Sequence, residues 1–253
     1  MIKKIIKKIL KYLGYKISRV DFNEYPYDID KQHIREFKNI KEYTVTNIER
    51  IDALLNSVKY ISENDIEGDL VECGVWRGGS CMAMAKQMIK NNDVSRKIWL
   101  YDTFQGMTEP TEKDIEVETG KRVSDLMKNE KKNTEKYNVW AYAPIDEVKN
   151  NMINTNYPID NINFIVGKVE DTLYSDKIPN KIALLRLDTD WYESTKIELE
   201  VLYPLLSSGG ILIVDDYGHF EGARKAVDEY FSKFDKKPYI HRIDYTARII
   251  IKQ

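Results

Sequence analysis

The sequence predicts an α/β, Rossmann-like fold: a mostly parallel sheet closed by a C-terminal antiparallel hairpin and preceded by a helical N-terminal extension. Three observations carry this. Short apolar runs alternate with helix-length amphipathic segments, the first run passes through glycines directly into a helix, and the last two runs are joined by only Asp244 and Tyr245. Parallel strands need long crossovers, and helices in those crossovers cover both faces of the sheet.

Residues 1–45 read as an amphipathic helix and a lead segment. Ile2, Ile5, Ile6, Ile9, Leu10 and Leu13 fall at helical spacing, with Lys3, Lys4, Lys7, Lys8 and Lys11 on the other face. Such a helix suits docking onto its own domain or a second subunit in a homo-oligomer, or peripheral contact with an anionic membrane surface. Residues 18–45 hold Pro26 and no sustained period, which predicts a loop-rich lead. The main domain, 46–253, opens with a helical stripe at Ile48, Ile51, Leu54, Leu55, Val58 and Ile61, ended by Gly68. Strand-then-helix pairs follow at 69–74 and 80–90, at 181–188 and 194–202, and at 210–215 and 222–234. Two more strands are expected at 97–102 and 162–166, and a hairpin at 239–243 and 246–251. Residues 107–145, highly charged with a weak helical pattern at 123–127, form a lid or substrate insertion, or else a solvated excursion.

Composition narrows the function classes. At 253 residues, 42% hydrophobic and 32% charged, the chain suits one large folded domain rather than a disordered segment. A formal net charge of -2 offers no general attraction to nucleic acid. Cys73 and Cys81 have no zinc-site or disulfide spacing. No apolar run reaches roughly 18 residues and no secretory signal precedes the domain, so a cytoplasmic place is expected, with the basic helix permitting a peripheral one at the inner membrane face.

In Glu72-Cys73-Gly74-Val75-Trp76-Arg77-Gly78-Gly79 a strand meets glycines at the edge where open α/β sheets bind ligands. Bulky Trp76 departs from the spacing of a pyrophosphate cradle, so a cofactor without phosphates fits better. Asp102 ends the next strand, where its carboxylate can accept two hydrogen bonds from ribose hydroxyls; the alternative is that Asp102 or Thr103 caps the following element. Asp188 and Asp190 follow one strand, Asp215 and Asp216 another. Four carboxylates brought to one edge repel each other unless a cation compensates, and an all-oxygen set without His or Cys favours Mg2+ before Ca2+ or Mn2+ and well before Zn2+. His219, three residues past Asp216, is a base, a substrate contact or a helix cap.

Over residues 46–231 the chain resembles the macrocin O-methyltransferase family of sugar O-methyltransferases. The resemblance rests on the glycine motif from Gly68, Asp102-Thr103-Phe104-Gln105-Gly106-Met107, Arg186-Leu187-Asp188-Thr189-Asp190-Trp191-Tyr192-Glu193-Ser194-Thr195 and Asp215-Asp216-Tyr217. It implies a class I methyltransferase with a seven-stranded sheet that uses S-adenosyl-L-methionine and Mg2+. It further implies that Glu72 and Gly74, with Val75, Trp76 and Gly78, line the cofactor site, that Asp102 and Thr103 hold its ribose end, and that Gly167 and Val169 lie near the adenine. Asp188, Asp215 and Asp216 would hold Mg2+, Asp188 also bordering the cofactor, and Asp190 would be the general base, with His219 as a second catalytic candidate. The implied substrate is a sugar, nucleotide-sugar or glycoside in glycan or surface-polysaccharide biosynthesis. Two other classes share the sheet: a nicotinamide-dependent sugar oxidoreductase and a non-catalytic nucleoside-binding scaffold subunit.

Overall fold

A computed structural model of the chain describes residues 25–128, 130–132, 138–175 and 177–253, together with Leu10 and Tyr12. The basic amphipathic stretch of residues 2–13 lies outside the described residues except for those two.

Seven strands form one sheet: β1 (Asp69–Cys73), β2 (Ile98–Asp102), β3 (Ile162–Val166), β4 (Ile182–Leu187), β5 (Leu206–Val214), β6 (His241–Arg242) and β7 (Arg248–Ile251), in the order β3-β2-β1-β4-β5-β7-β6. The first five are parallel; β7 runs antiparallel to β5 and pairs with β6, which closes the sheet with the expected hairpin. Alternate side chains serve opposite faces. Leu70, Leu100, Leu184 and Ile213 pack on one side with α2 (Ile48–Glu63) and α3 (Gly79–Lys90). Val71, Tyr101, Leu185 and Val214 pack on the other with α7 (Tyr192–Leu202) and α8 (Glu221–Ser232). Burial on both faces is why these strands read as continuous apolar runs.

The lead is more regular than predicted. It holds α1 (Lys31–Ile40) and a 3-10 turn at Lys41–Tyr43. Asp30 Oδ1 caps α1 by accepting the Gln32 N–H at 2.7 Å. Its buried stripe is His33, Glu36 and Ile40, two of them polar, so a count of apolar spacing misses it. The polar members are paired: His33 Nδ1 lies 2.6 Å from Asp52 on α2, and Lys90 Nζ 3.0 Å from Glu36.

Within 107–145, α4 (Val123–Met127) lies where the weak helical pattern stood. Between that insertion and β3 runs α5 (Ile145–Ile153), and α6 (Val169–Thr172) follows β3.

The chain leaves β1 towards β2 and β3, then returns to β4 on β1's other side, so the point where strand order reverses lies between β1 and β4. Strand register aligns the carboxyl ends there: Cys73 pairs with both Tyr101 and Leu187, and Leu187 with Val214. The ladders continue one residue further, with Gly74 N donating to Tyr101 O, Asp188 N to Cys73 O, Asp215 N to Leu187 O and Gly167 N to Asp102 O, all at 2.8–3.0 Å. Gly167, Asp102, Gly74, Asp188 and Asp215 therefore stand in a row along one edge.

Candidate active site at the carboxyl edge of the sheet

The row opens onto a cavity of about 440 Å³. At its floor Gly74 has φ 82°, and a Cβ there would collide with the carbonyl oxygen of Asp188, so glycine permits β1 and β4 to end side by side. Past Gly74 the backbone N–H groups of Val75 and Trp76 both donate to Asp102 Oδ2, at 2.7 and 3.1 Å, and that of Phe104 donates to Oδ1 at 2.6 Å. Trp76 and Phe104 sit in the left-handed region, and these bonds to one carboxylate hold both turns. Burial pushes the Asp102 carboxyl up, against the pull of the three N–H donors. A carboxylate offers about four acceptor positions. Three of them accept these backbone N–H groups, so Asp102 also holds the two turns together.

The second half is a carboxylate cluster crossed by two guanidinium groups. Oxygens of Asp188, Asp215 and Asp216 lie within 4.8 Å of one another. Arg186, itself 2% exposed, donates Nη1 to Glu72 and, at 2.7 Å, to Asp188, and donates Nη2 to Asp215 Oδ1 at 2.8 Å. Arg50, in the first turn of α2, donates to Asp215 Oδ2 and places Nε 3.2 Å from Asp244 Oδ2. Burial opposes the ionisation of Asp215, but Arg186 and Arg50 outweigh it and hold this carboxyl below the usual range. Burial pushes Asp216 well up, reinforced by repulsion from Asp190, and its Oδ2 is buried with no hydrogen-bond partner. Asp190, whose φ is 67°, is pushed up to about 7 by burial, with repulsion from Asp188 and Asp215 adding to it. A buried oxygen without a partner, in a cluster of three carboxylates, is a donor set that could hold a divalent cation.

The described part of the insertion forms the third wall. Asp114, fully buried, accepts the Tyr192 N–H at the start of α7 at 2.8 Å, and Gly222 makes room for it. Trp191 Nε1 donates to Thr108 O at 3.1 Å, and Glu116 forms a β-bridge with Phe220. The pairing of the two backbones sets Glu116 Oε1 3.7 Å from His219 Nε2. The His219 ring meets Phe220 edge-on at 4.5 Å and Tyr245 at 6.1 Å. Gly218 N donates to Thr246 O at 2.8 Å, which locks the turn bearing Tyr245 against the turn bearing His219.

Of the sequence-predicted residues, Gly74, Trp76, Asp102, Thr103, Gly167 and Val169 line the cavity on the β1–β3 side. Asp188, Asp190, Asp215, Asp216 and His219 line it on the β4–β5 side. Glu72, Val75 and Gly78 are not in its wall. Glu72 lies beneath it, 1% exposed, bound to Arg186 and Cys81; Val75 contributes its N–H to Asp102; Gly78, φ 88°, precedes α3. Arg50, Glu116 and Tyr245 were missed, having no local motif. Arg186 carried a readable signal, a charge inside a strand otherwise wholly apolar.

A Rossmann-like sheet of this order, with a glycine turn at its switch point and carboxylates on the neighbouring strand ends, defines a class I methyltransferase. Residues 7–252 match the macrocin-O-methyltransferase family (TylF), and the chain belongs to that family. It is 31% identical over 246 residues to the 8-demethyl-8-(2,3-dimethoxy-alpha-L-rhamnosyl)-tetracenomycin-C 4'-O-methyltransferase of Streptomyces olivaceus, covering 96% of this chain and 89% of that one. Against the demethyldecarbamoylnovobiocin O-methyltransferase of Streptomyces niveus it is 36% identical, covering 80% of this chain and 72% of the other. Among solved structures, the O-methyltransferase NovP superposes with a TM-score of 0.71 at 34% identity, over 83% of this chain and 82% of that one. The chain is therefore an enzyme of methyl transfer, which removes the nicotinamide-dependent oxidoreductase and the non-catalytic scaffold.

Proposed function

We propose that this chain transfers the methyl group of S-adenosyl-L-methionine to a hydroxyl of a sugar unit in a glycoside or glycan, with Mg2+ held by Asp188, Asp215 and Asp216 and with Asp190 as the general base. The observation that carries the reading is the meeting, in one cavity, of the Gly74–Asp102 turn with a carboxylate cluster whose buried Asp216 Oδ2 lacks a partner. The names of the two curated relatives, both O-methyltransferases and one acting on a rhamnosyl compound, support the sugar acceptor.

The chain's residues divide the work along the edge of the sheet. Gly74, Trp76, Asp102, Gly167 and Val169 bind the adenosyl part of the donor, using backbone turns and one carboxylate acceptor rather than a phosphate cradle. When bound, the divalent cation supplies charge that orients an acceptor hydroxyl and eases loss of its proton. Asp190 takes that proton as the O–CH3 bond forms and the S–CH3 bond breaks, leaving S-adenosylhomocysteine; a carboxyl titrating near neutrality is matched to this task, since it can both accept a proton and later release it. Arg186 and Arg50 keep Asp215 ionised and fixed in direction. The transfer joins an oxygen that is losing its proton to a cationic donor, so charge is lost on the way to the transition state and positioning dominates over charge stabilisation. The described part of the insertion 107–145 covers the acceptor end as a substrate wall. Surface-polysaccharide assembly in the cytoplasm is the setting we favour, the basic stretch at the start of the chain serving to dock onto its own domain or a second subunit, or to touch the inner face of the membrane. Among the described residues no helix is long and apolar enough to cross a membrane.

Calorimetry with S-adenosylmethionine, followed by a methyl-transfer assay with and without EDTA, tests the reading. Micromolar donor binding and activity that EDTA abolishes are expected. Full activity in EDTA refutes the metal, and absence of donor binding refutes the whole proposal.

A further inference from the structure

Strand order separates the two ends of the cavity. Gly167 follows β3 and Asp215 follows β5, four strands apart and hence about 19 Å along the edge. The glycine turn and Asp102 occupy the β1–β3 end, Asp190 follows β4 in the middle, and the end beyond β5 is formed by Glu116, His219 and Tyr245. Those three come from separate segments: the insertion, the turn after β5 and the β6–β7 turn.

Glu116 Oε1 and His219 Nε2 stand 3.7 Å apart, too far for a direct hydrogen bond and near enough for both to reach one hydroxyl, which would donate to the carboxylate and accept from the imidazole. Tyr245 is 57% exposed beside them, an aromatic ring left uncovered at the cavity mouth. Backbone pairing fixes all three: Val117 N donates to His219 O at 2.9 Å, Glu221 N to Ile115 O at 3.0 Å, and Gly218 N to Thr246 O. A carboxylate, an imidazole and an aromatic face at one rigid corner match the alternating hydroxyl and C–H surfaces of a pyranose ring.

Charge narrows the class further. Of the cations lining the cavity among the described residues, Arg50 is engaged by Asp215 and Asp244, and Lys168 lies beside Gly167 at the far end. The acceptor end presents Glu116, Asp190 and Asp216. Apart from the proposed Mg2+, a pyrophosphate there would meet carboxylates with no free lysine or arginine side chain beside it among the described lining residues.

We propose that Glu116, His219 and Tyr245 form the acceptor subsite, which recognises an uncharged pyranoside by a hydroxyl bridged between Glu116 and His219 and a ring face laid on Tyr245. This assigns His219 to substrate binding rather than to proton transfer, and it rests on the methyl-transfer reading given above.

The test uses the full chain loaded with S-adenosylhomocysteine and Mg2+. Methyl α-L-rhamnopyranoside, methyl α-D-mannopyranoside and methyl β-D-glucopyranoside are the probes, followed by saturation-transfer NMR, with calorimetry for the nucleoside. At least one glycoside is expected to bind the wild-type protein. Glu116→Gln, His219→Ala and Tyr245→Ala should each weaken it about tenfold or more, while Tyr245→Phe restores wild-type affinity and the nucleoside affinity stays within about twofold throughout. Loss of nucleoside binding by the wild-type protein brings down the methyl-transfer reading and this inference with it. With nucleoside bound, three results overturn the subsite alone: no glycoside binding, equal affinity in all three variants, or UDP-glucose binding more than about tenfold tighter than every methyl glycoside.

Discussion

Replacing Asp190 by Asn separates the chemistry of this residue from its cost to the fold. Asp190 adopts φ 67°, a region that Asn tolerates and most residues do not, so the substitution keeps shape and backbone while removing the ability to take a proton. Loss of a positioned general base lowers kcat by about 10²–10⁴-fold. Stability should move the other way. Burial raises this carboxyl from 3.8 to about 7, a penalty on the ionised form of at most about 4 kcal/mol at about 1.4 kcal/mol per unit, reduced by whatever water enters the cavity. Because the folded value is raised, metal-free wild-type protein carries this contribution fully only below pH about 4 and loses it as pH rises through about 7. The Asn variant has no such loss. A gain of even 1 kcal/mol raises the melting temperature by about 2 °C or more in a domain of this size. Thermal unfolding in EDTA at pH 8 should place the variant above wild type, with the gap narrowing towards pH 4. A variant that melts below wild type at pH 8, or whose kcat stays within tenfold of it, would refute this account of Asp190.

Three further outcomes follow from the same geometry. The kcat/KM for methyl transfer should climb with pH as Asp190 ionises and level off above about 7, and saturating Mg2+ should move the climb to lower pH because a nearby cation favours the carboxylate; a profile that falls over this range contradicts the base assignment. Arg186→Met leaves Glu72 and Asp215 buried without their main counter-charge and should cost about 3–5 kcal/mol in urea unfolding; a change under about 1 kcal/mol means the network is dispensable. Gly74→Ala forces a side chain into the carbonyl of Asp188 at positive φ, so about 1–3 kcal/mol of stability and most donor affinity should be lost together in unfolding and calorimetry; unaltered donor binding would mean that the β1–β4 junction does not shape the donor site.

What the sequence disclosed, and what it withheld, follows from the range of the interactions. Strand ends are local events, so apolar runs terminating at Gly74, Asp102, Asp188 and Asp215 were legible, and the parallel register then brings those ends into one row. Helix α1 was hidden because His33 and Glu36 do the work of apolar residues by pairing with charged side chains on α2 and α3. Arg50 was hidden for a different reason: its partner Asp215 lies 165 residues away, and only the packing of α2 beside β5 joins them. Glu116 likewise acquires meaning only when the insertion pairs with the turn after β5. Glu72 shows the converse. The family resemblance implied that it lines the cofactor site, yet it is buried beneath the cavity wall, where Arg186 supplies the compensation that burial demands.

The most direct measurement follows the label from S-adenosylmethionine carrying a trideuterated methyl group into a methyl glycoside, read by mass spectrometry of the sugar fragment, in Mg2+, in EDTA, and in EDTA followed by excess Mg2+. Retention of all three deuteriums on the sugar, abolished by the chelator and restored by the metal, is the predicted result. Label transferred equally well in EDTA, or label never found on the sugar while donor binding is intact, contradicts the central claim that the carboxylates beyond β4 and β5 act with a cation to prepare a sugar hydroxyl for methylation.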